Sequence, residues 1–157
     1  MYVMSMDGNQ KAQYKLGENN KPLFSYPWLV TSTDKGNIFV IDRLFTNEEC
    51  RIVVLDNEGQ LMNTFKGDEK LGAKLFATGM ARTPNDEVIV SDVKAHTLYL
   101  LDSEGNFISS FNTKTVGIQY PYSLAFLSKG RLSIGTNVTT KGSNNTAKLY
   151  AVDYTEY

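Results

Sequence analysis

Two acids raise the first chemical question in this chain. Asp42 ends "DKGNIFVID" and Asp92 ends "NDEVIVSD", so each carboxylate closes an apolar strand, at an offset of 50 residues. Carboxylates that converge on one point can hold a cation, whereas carboxylates that accept N–H bonds in the turn after their own strand cannot. Turn capping is the expected role, because the third such segment, "RLSIGT", ends in Thr136 and breaks the ring of acids. Arg43 follows Asp42, and Lys94 and His96 follow Asp92 closely; Tyr26, Trp28, Gln119, Tyr120 and Tyr122 belong to the same edge. Basic groups and aromatic rings sharing one edge suit stacking on unpaired bases or gripping a peptide. Each aromatic taken singly is expected to pack between sheets instead.

Other catalytic equipment is missing from the sequence. No nucleophile elbow, phosphate loop or pair of metal-binding histidines is present. His96 is the only histidine and Cys50 the only cysteine, which excludes a Cys/His zinc cluster and an internal disulfide. Cys50 reads as a thiol near a strand start, without function. No cofactor is expected.

The elements that position these residues form a repeat. "RIVVLDNEGQLMNTF", Arg51 to Phe65, overlays "TLYLLDSEGNFISSF", Thr97 to Phe111, at an offset of 46 residues: Leu55 on Leu101, Asp56 on Asp102, Gly59 on Gly105, Phe65 on Phe111. Upstream of each, "YPWLVTSTDKGNIFVID" matches "FATGMARTPNDEVIVSD", and "YPYSLAFLSKGRLSIGT" from Tyr120 starts the pattern a third time. "KLYAVD", Lys148 to Asp153, then resumes it after a long loop. Periods of 40 to 50 residues built of short strands signal propellers or solenoids.

The second unit predicts four strands, Thr78–Thr83, Glu87–Ser91, Thr97–Leu101 and Phe107–Phe111. In "DNEG" and "DSEG" the Asp can accept turn N–H groups, and the Gly takes the left-handed conformation that closes a hairpin. "IFVI" and "VIV" are apolar at every position, which requires cover on both sheet faces. No segment keeps the three-and-four apolar spacing of a helix.

Composition sets the outer limits. The 157 residues are 41% hydrophobic and 11% aromatic, enough for one domain with a real core. A formal net charge of -1 argues against a bulk nucleic-acid binder, although a local basic patch stays open. No stretch approaches a membrane-spanning length and no signal segment opens the chain, so the expectation is a cytoplasmic protein. Sequons at Asn137 and Asn144 leave secretion open.

With these residues in place, the first full unit resembles an NHL repeat through Pro27, Gly36, Val40, Asp42, Arg51, Ile52, Asp56 and Gly59. The second unit matches through Val90, Asp92, Leu98, Asp102 and Gly105, but has Ala77 for the usual Pro and Thr97 for the usual Arg. The third keeps Pro121, Gly130 and Asp153. The resemblance implies an all-β propeller of four-stranded antiparallel blades, here a partial ring of about three to three and a half. Residues 1–16 would form a half blade, 26–66 and 76–112 full blades, and 120–157 an incomplete one.

Such propellers often end tripartite-motif proteins, following a RING domain that carries the ubiquitin-transfer activity. The resemblance therefore implies a non-catalytic scaffold whose upper loop face binds a protein partner or single-stranded RNA. Arg43, Lys94, His96, Tyr26, Trp28, Gln119, Tyr120 and Tyr122 are the candidate binding residues. The alternative is a calcium-assisted propeller hydrolase or lyase with Asp42 and Asp92 as metal ligands near the central channel. An incomplete ring leaves open flanks, so the chain is expected either to be a fragment of a longer propeller or to complete one as a homodimer.

Overall fold

The structure, a computed structural model, describes residues 2–13, 22–45, 49–68, 74–127, 130–137 and 146–154. Strands β1 (Tyr2–Met4) and β2 (Gln10–Gln13) pair as an isolated hairpin. Three larger sheets follow in chain order. The first holds β3 (Tyr26–Ser32), β4 (Ile38–Arg43), β5 (Cys50–Leu55) and β6 (Leu61–Phe65). The second holds β7 (Ala77–Arg82), β8 (Val88–Asp92), β9 (Thr97–Leu101) and β10 (Phe107–Asn112). The third holds β11 (Pro121–Leu127), β12 (Arg131–Thr136) and β13 (Leu149–Asp153). Every sheet is an antiparallel meander in sequence order, and the only helical element described is a 3-10 turn, Thr113–Val116.

The repeated turns explain why the hairpins form where they do. Asp56 Oδ1 accepts from the N–H groups of Glu58 and Gln60 at 2.9 and 2.8 Å, and Asp102 Oδ1 does the same for Glu104 and Asn106 at the same distances. Gly59 and Gly105 sit at φ 83° and 85°, the left-handed geometry that the turn demands. Gly105 is doubly constrained, since a Cβ there would come within 2.6 Å of Val54 on the first sheet.

Two seams hold the sheets together face to face. The first packs Phe39, Ile41, Ile52 and Val54 against Met80, Val88, Val90, Tyr99 and Leu101. Full burial of side chains of this size contributes about 1.5–3 kcal/mol each. Tyr99 is buried deeply enough that desolvation pushes its phenol pKa up to about 12. The second seam joins Ala81, Ile89 and Leu98 to Leu132, Ile134 and Ile118. The all-apolar strands β4 and β8 are buried along nearly their whole length, because the central sheet is covered on both faces and the first is covered on one by the seam and on the other by Leu23 and Phe24.

The first strands of successive sheets lie against one another, β3 on β7 and β7 on β11, which makes them the inner edge of the arc. β7, flanked on both sides, is mostly buried, while β3 and β11 are mostly exposed. Close approach at this edge requires a residue without a side chain: a Cβ on Gly79 would lie 2.8 Å from the Tyr122 carbonyl oxygen. Asp42 and Asp92 close the second strands, one step out from the inner edge.

Candidate functional site

The loop edge is built around the two strand-ending acids. Asp42, fully buried, accepts from the Ser25 and Tyr26 N–H groups through Oδ1 at 2.8 and 2.7 Å, and from Arg51 Nε through Oδ2 at 2.9 Å. Arg51 also donates to the Leu23 carbonyl at 3.0 Å, so the pair ties the strand entry to β5. Asp92 accepts from the Phe76 N–H through Oδ2 at 3.1 Å, and from the Lys94 and Ala95 N–H groups through Oδ1 at 3.0 and 2.9 Å. Each carboxylate oxygen is already an acceptor, which leaves the pair without the converging free oxygens that calcium needs. Among the described residues no group of three His, Cys, Asp or Glu side chains could hold a metal ion. Both carboxylates act as caps in this arrangement.

Around Asp42 stands an aromatic and cationic cluster. The Arg43 guanidinium lies over the Trp28 ring, 3.7 Å from its centroid, and Trp28 stacks on Tyr26, which meets Phe45 edge-on. Tyr26 and Trp28 are nearly half exposed and Phe45 is 80% exposed, so these rings do not fill a seam. Below them opens a pocket of about 410 Å³ between the first two sheets, bordered by Tyr26, Arg43, Leu44 and Phe45 on one side and by Phe76, Ala77, Thr78 and Val93 on the other. Cys50 also lines it. Its buried Sγ lies 3.6 Å from the Ala77 carbonyl oxygen, and desolvation raises the pKa of the thiol, so the group stays neutral. The Lys94 ammonium lies over the Phe76 ring, 3.5 Å from its centroid.

A second cluster forms beside the third sheet. Tyr120 donates its N–H to His96 Nδ1 at 2.9 Å, and the two rings meet edge-on with centroids 4.4 Å apart. Both residues have left-handed backbones, φ 53° and 54°. His96 is further fixed through its carbonyl, which accepts from the Thr113 N–H and hydroxyl. Burial, reinforced by Lys114, lowers the His96 pKa, with Asp92 opposing weakly.

Of the residues named from sequence, the fold thus gathers Tyr26, Trp28 and Arg43 in one cluster and His96 and Tyr120 in another, with Lys94 on Phe76. Gln119 is exposed between the 3-10 turn and β11 and joins neither. Tyr122 contributes its carbonyl, which accepts from the Ser91 hydroxyl at 3.3 Å, while its ring is exposed. Asn137 is exposed, and Asn144 lies outside the described residues. Sequence reasoning missed Phe45, Phe76 and Thr78, and gave Cys50 no role. A signal for Phe76 existed, since an aromatic opens every unit: Tyr26, Phe76, Tyr120.

No protein-family model matches the sequence, and neither does any curated protein. Solved structures do match. Virginiamycin B lyase from Staphylococcus aureus aligns with a TM-score of 0.59 at 16% identity, covering 97% of this chain and 48% of that one. The fold is a β-propeller. A streptogramin B lyase aligns with a TM-score of 0.56 at 15% identity, covering 96% of this chain and 46% of the lyase. A luciferin-regenerating enzyme gives 0.58 at 10% identity, covering 85% and 46%. The chain spans about half the length of these structures, which agrees with a partial ring.

These relatives correct the expectation that the chain is not an enzyme. The exclusion rested on the missing catalytic motifs and on a resemblance to binding propellers, and the propellers that share this fold include a lyase and a luciferin-regenerating enzyme. The resemblance to tripartite-motif propellers reduces to the fold itself.

Proposed function

We propose that this chain is part of a propeller enzyme acting on a small organic molecule at the loop edge, in a lyase or hydrolase type of reaction. The shared fold with two proteins named as lyases supports the class. The remaining blades, from a longer chain or from a second copy, would complete the cleft.

The pairing of His96 with Tyr120 carries the reading. Left-handed conformations at residues other than glycine cost on the order of 1 kcal/mol or more, and such strain gathers at sites of function. Here two such residues touch, on the edge where loops of a rigid scaffold carry chemistry. Because Nδ1 accepts the Tyr120 N–H, the neutral ring must carry its proton on Nε2. His96 then holds a fixed N–H donor that can bind an oxygen as it gains charge, and its depressed pKa keeps it neutral near pH 7. No metal is needed for that role, and any calcium-assisted version would need ligands other than Asp42 and Asp92.

The test follows consumption of virginiamycin B and of a panel of lactones by mass spectrometry. The chain is expected to consume at least one of them, and His96→Asn to slow that turnover tenfold or more. Asn tolerates the left-handed backbone and still offers Tyr120 an acceptor, so near-ultraviolet circular dichroism should be unchanged. Turnover unaffected by His96→Asn, or no turnover of any substrate once the ring is completed by the remaining blades, would overturn the proposal.

A further inference from the structure

We propose that the pocket between the first two sheets is a binding site for an organic anion with a flat apolar body, of which an aromatic carboxylate is the simplest case. The site is separate from the His96 pair and adds to the catalytic reading a ligand that the chain would hold whether or not it turns over.

Arg43 lines the pocket. Arg51 is paired with Asp42, and Arg82 with Asp34 and Asp86, yet Arg43 has no carboxylate partner among the described residues. Asp42, its neighbour in sequence, is taken by Arg51, and Glu49, just before the facing strand, by Lys74. What holds Arg43 is the Trp28 face. A guanidinium laid flat on an indole is pre-oriented and keeps its N–H fork for a ligand, and that fork matches a carboxylate bidentately. A second cation, Lys94, is held in the same manner on Phe76, which lines the pocket.

The cavity supplies the rest of the specificity. Its volume, about 410 Å³, falls in the range of small-molecule sites, and its walls include Leu44, Ala77, Val93 and the rings of Tyr26, Phe45 and Phe76. Flat rings on the rim favour a flat ligand body. The Arg43 cation at the border repels a cationic ligand, and a neutral one would leave its fork unused. The buried Cys50 thiol is neutral and offers no competing negative charge.

The test uses the whole chain with 2-naphthoate and its uncharged isostere 2-naphthamide, titrated by calorimetry and by 1H–15N correlation spectra. Trp28 is the only tryptophan, so its single indole N–H signal reports on this site alone. The acid is expected to shift that signal and to bind at least tenfold more tightly than the amide. Arg43→Gln should abolish the preference for the acid, and Thr78→Phe, which fills the pocket and gives up the Thr78 hydroxyl's bond to the Pro121 carbonyl, should abolish binding of both, with the signals of β13 unmoved. Equal affinity for acid and amide, acid binding that survives Arg43→Gln, or no response at Trp28 would overturn the inference. Turnover plays no part in this readout, so its failure leaves the catalytic proposal to its own assay.

Discussion

Asp42 and Asp92 occupy equivalent places in successive blades and share one duty, yet they are completed differently. Each carboxylate pins the chain where it enters its blade: Asp42 through the Ser25 and Tyr26 amides, Asp92 through the Phe76 amide. In the first blade the remaining oxygen takes a charged partner, Arg51, from the next strand. In the second, where Thr97 stands in place of that Arg, the remaining oxygen caps the tight turn at Lys94 and Ala95. The repeat therefore preserves the anchoring bond and lets the second partner vary with the loop. A long loop needs a side chain to reach across, whereas a short one brings its own backbone donors.

The comparison predicts unequal costs. Asp42→Ala strands a partly buried guanidinium and two amides, and should destabilise by about 3–5 kcal/mol in urea unfolding. Asp92→Ala loses only amide partners and should cost about 1–3 kcal/mol. Equal losses would break the distinction between the two blades.

Transplanting the second blade's residue sharpens it. Arg51→Thr should cost about 1–3 kcal/mol, since Asp42 keeps two amide donors but its second oxygen loses its only partner. A loss below the error of the unfolding curve would mean that the ion pair adds nothing beyond the backbone caps.

The smallest effect is a pH dependence confined to the second blade. The folded His96 pKa lies below the ordinary histidine value of 6.5, so between the two values the unfolded chain binds the proton and the folded chain does not. The stabilisation is complete above 6.5 and is lost as pH falls towards the folded value. Protonation also removes the acceptor for the Tyr120 N–H. Thermal melts should therefore decline as pH drops below 6.5, and His96→Asn should flatten that part of the profile; an unchanged slope would sever His96 from it.

The fold was legible where the chemistry is local. Asp56 with Gly59, and Asp102 with Gly105, encode their hairpins within four residues, and the run "VIV" announces a strand covered on both faces. Capping of the turn after its own strand holds for Asp92, whose Lys94 and Ala95 donors follow it directly, whereas Asp42 caps the chain entry at Ser25 and Tyr26, a contact across the blade that no local spacing records. The pocket was not legible, because it exists only where one blade leans on the next. Cys50, Thr78 and Phe76 meet there through radial packing, and no spacing along the chain records that distance. Trp28 and Tyr26 were expected to pack between sheets, yet a cation and a neighbouring ring hold them at the edge. Exclusion of catalysis failed for a different reason: a fold hosts unrelated chemistries, and resemblance of scaffold says little about the site grafted on it.

The meander order of every sheet has a kinetic consequence. Within each sheet a strand pairs with the one just before it, so every ladder closes over a single connecting loop, and because closure entropy grows only slowly with loop length even the longer β12–β13 connection adds little. Only the seams between blades join residues distant in sequence, and these are side-chain contacts between sheets that can already exist. The chain can therefore assemble blade by blade in the order in which it leaves the ribosome, each new blade finding a finished surface to dock on.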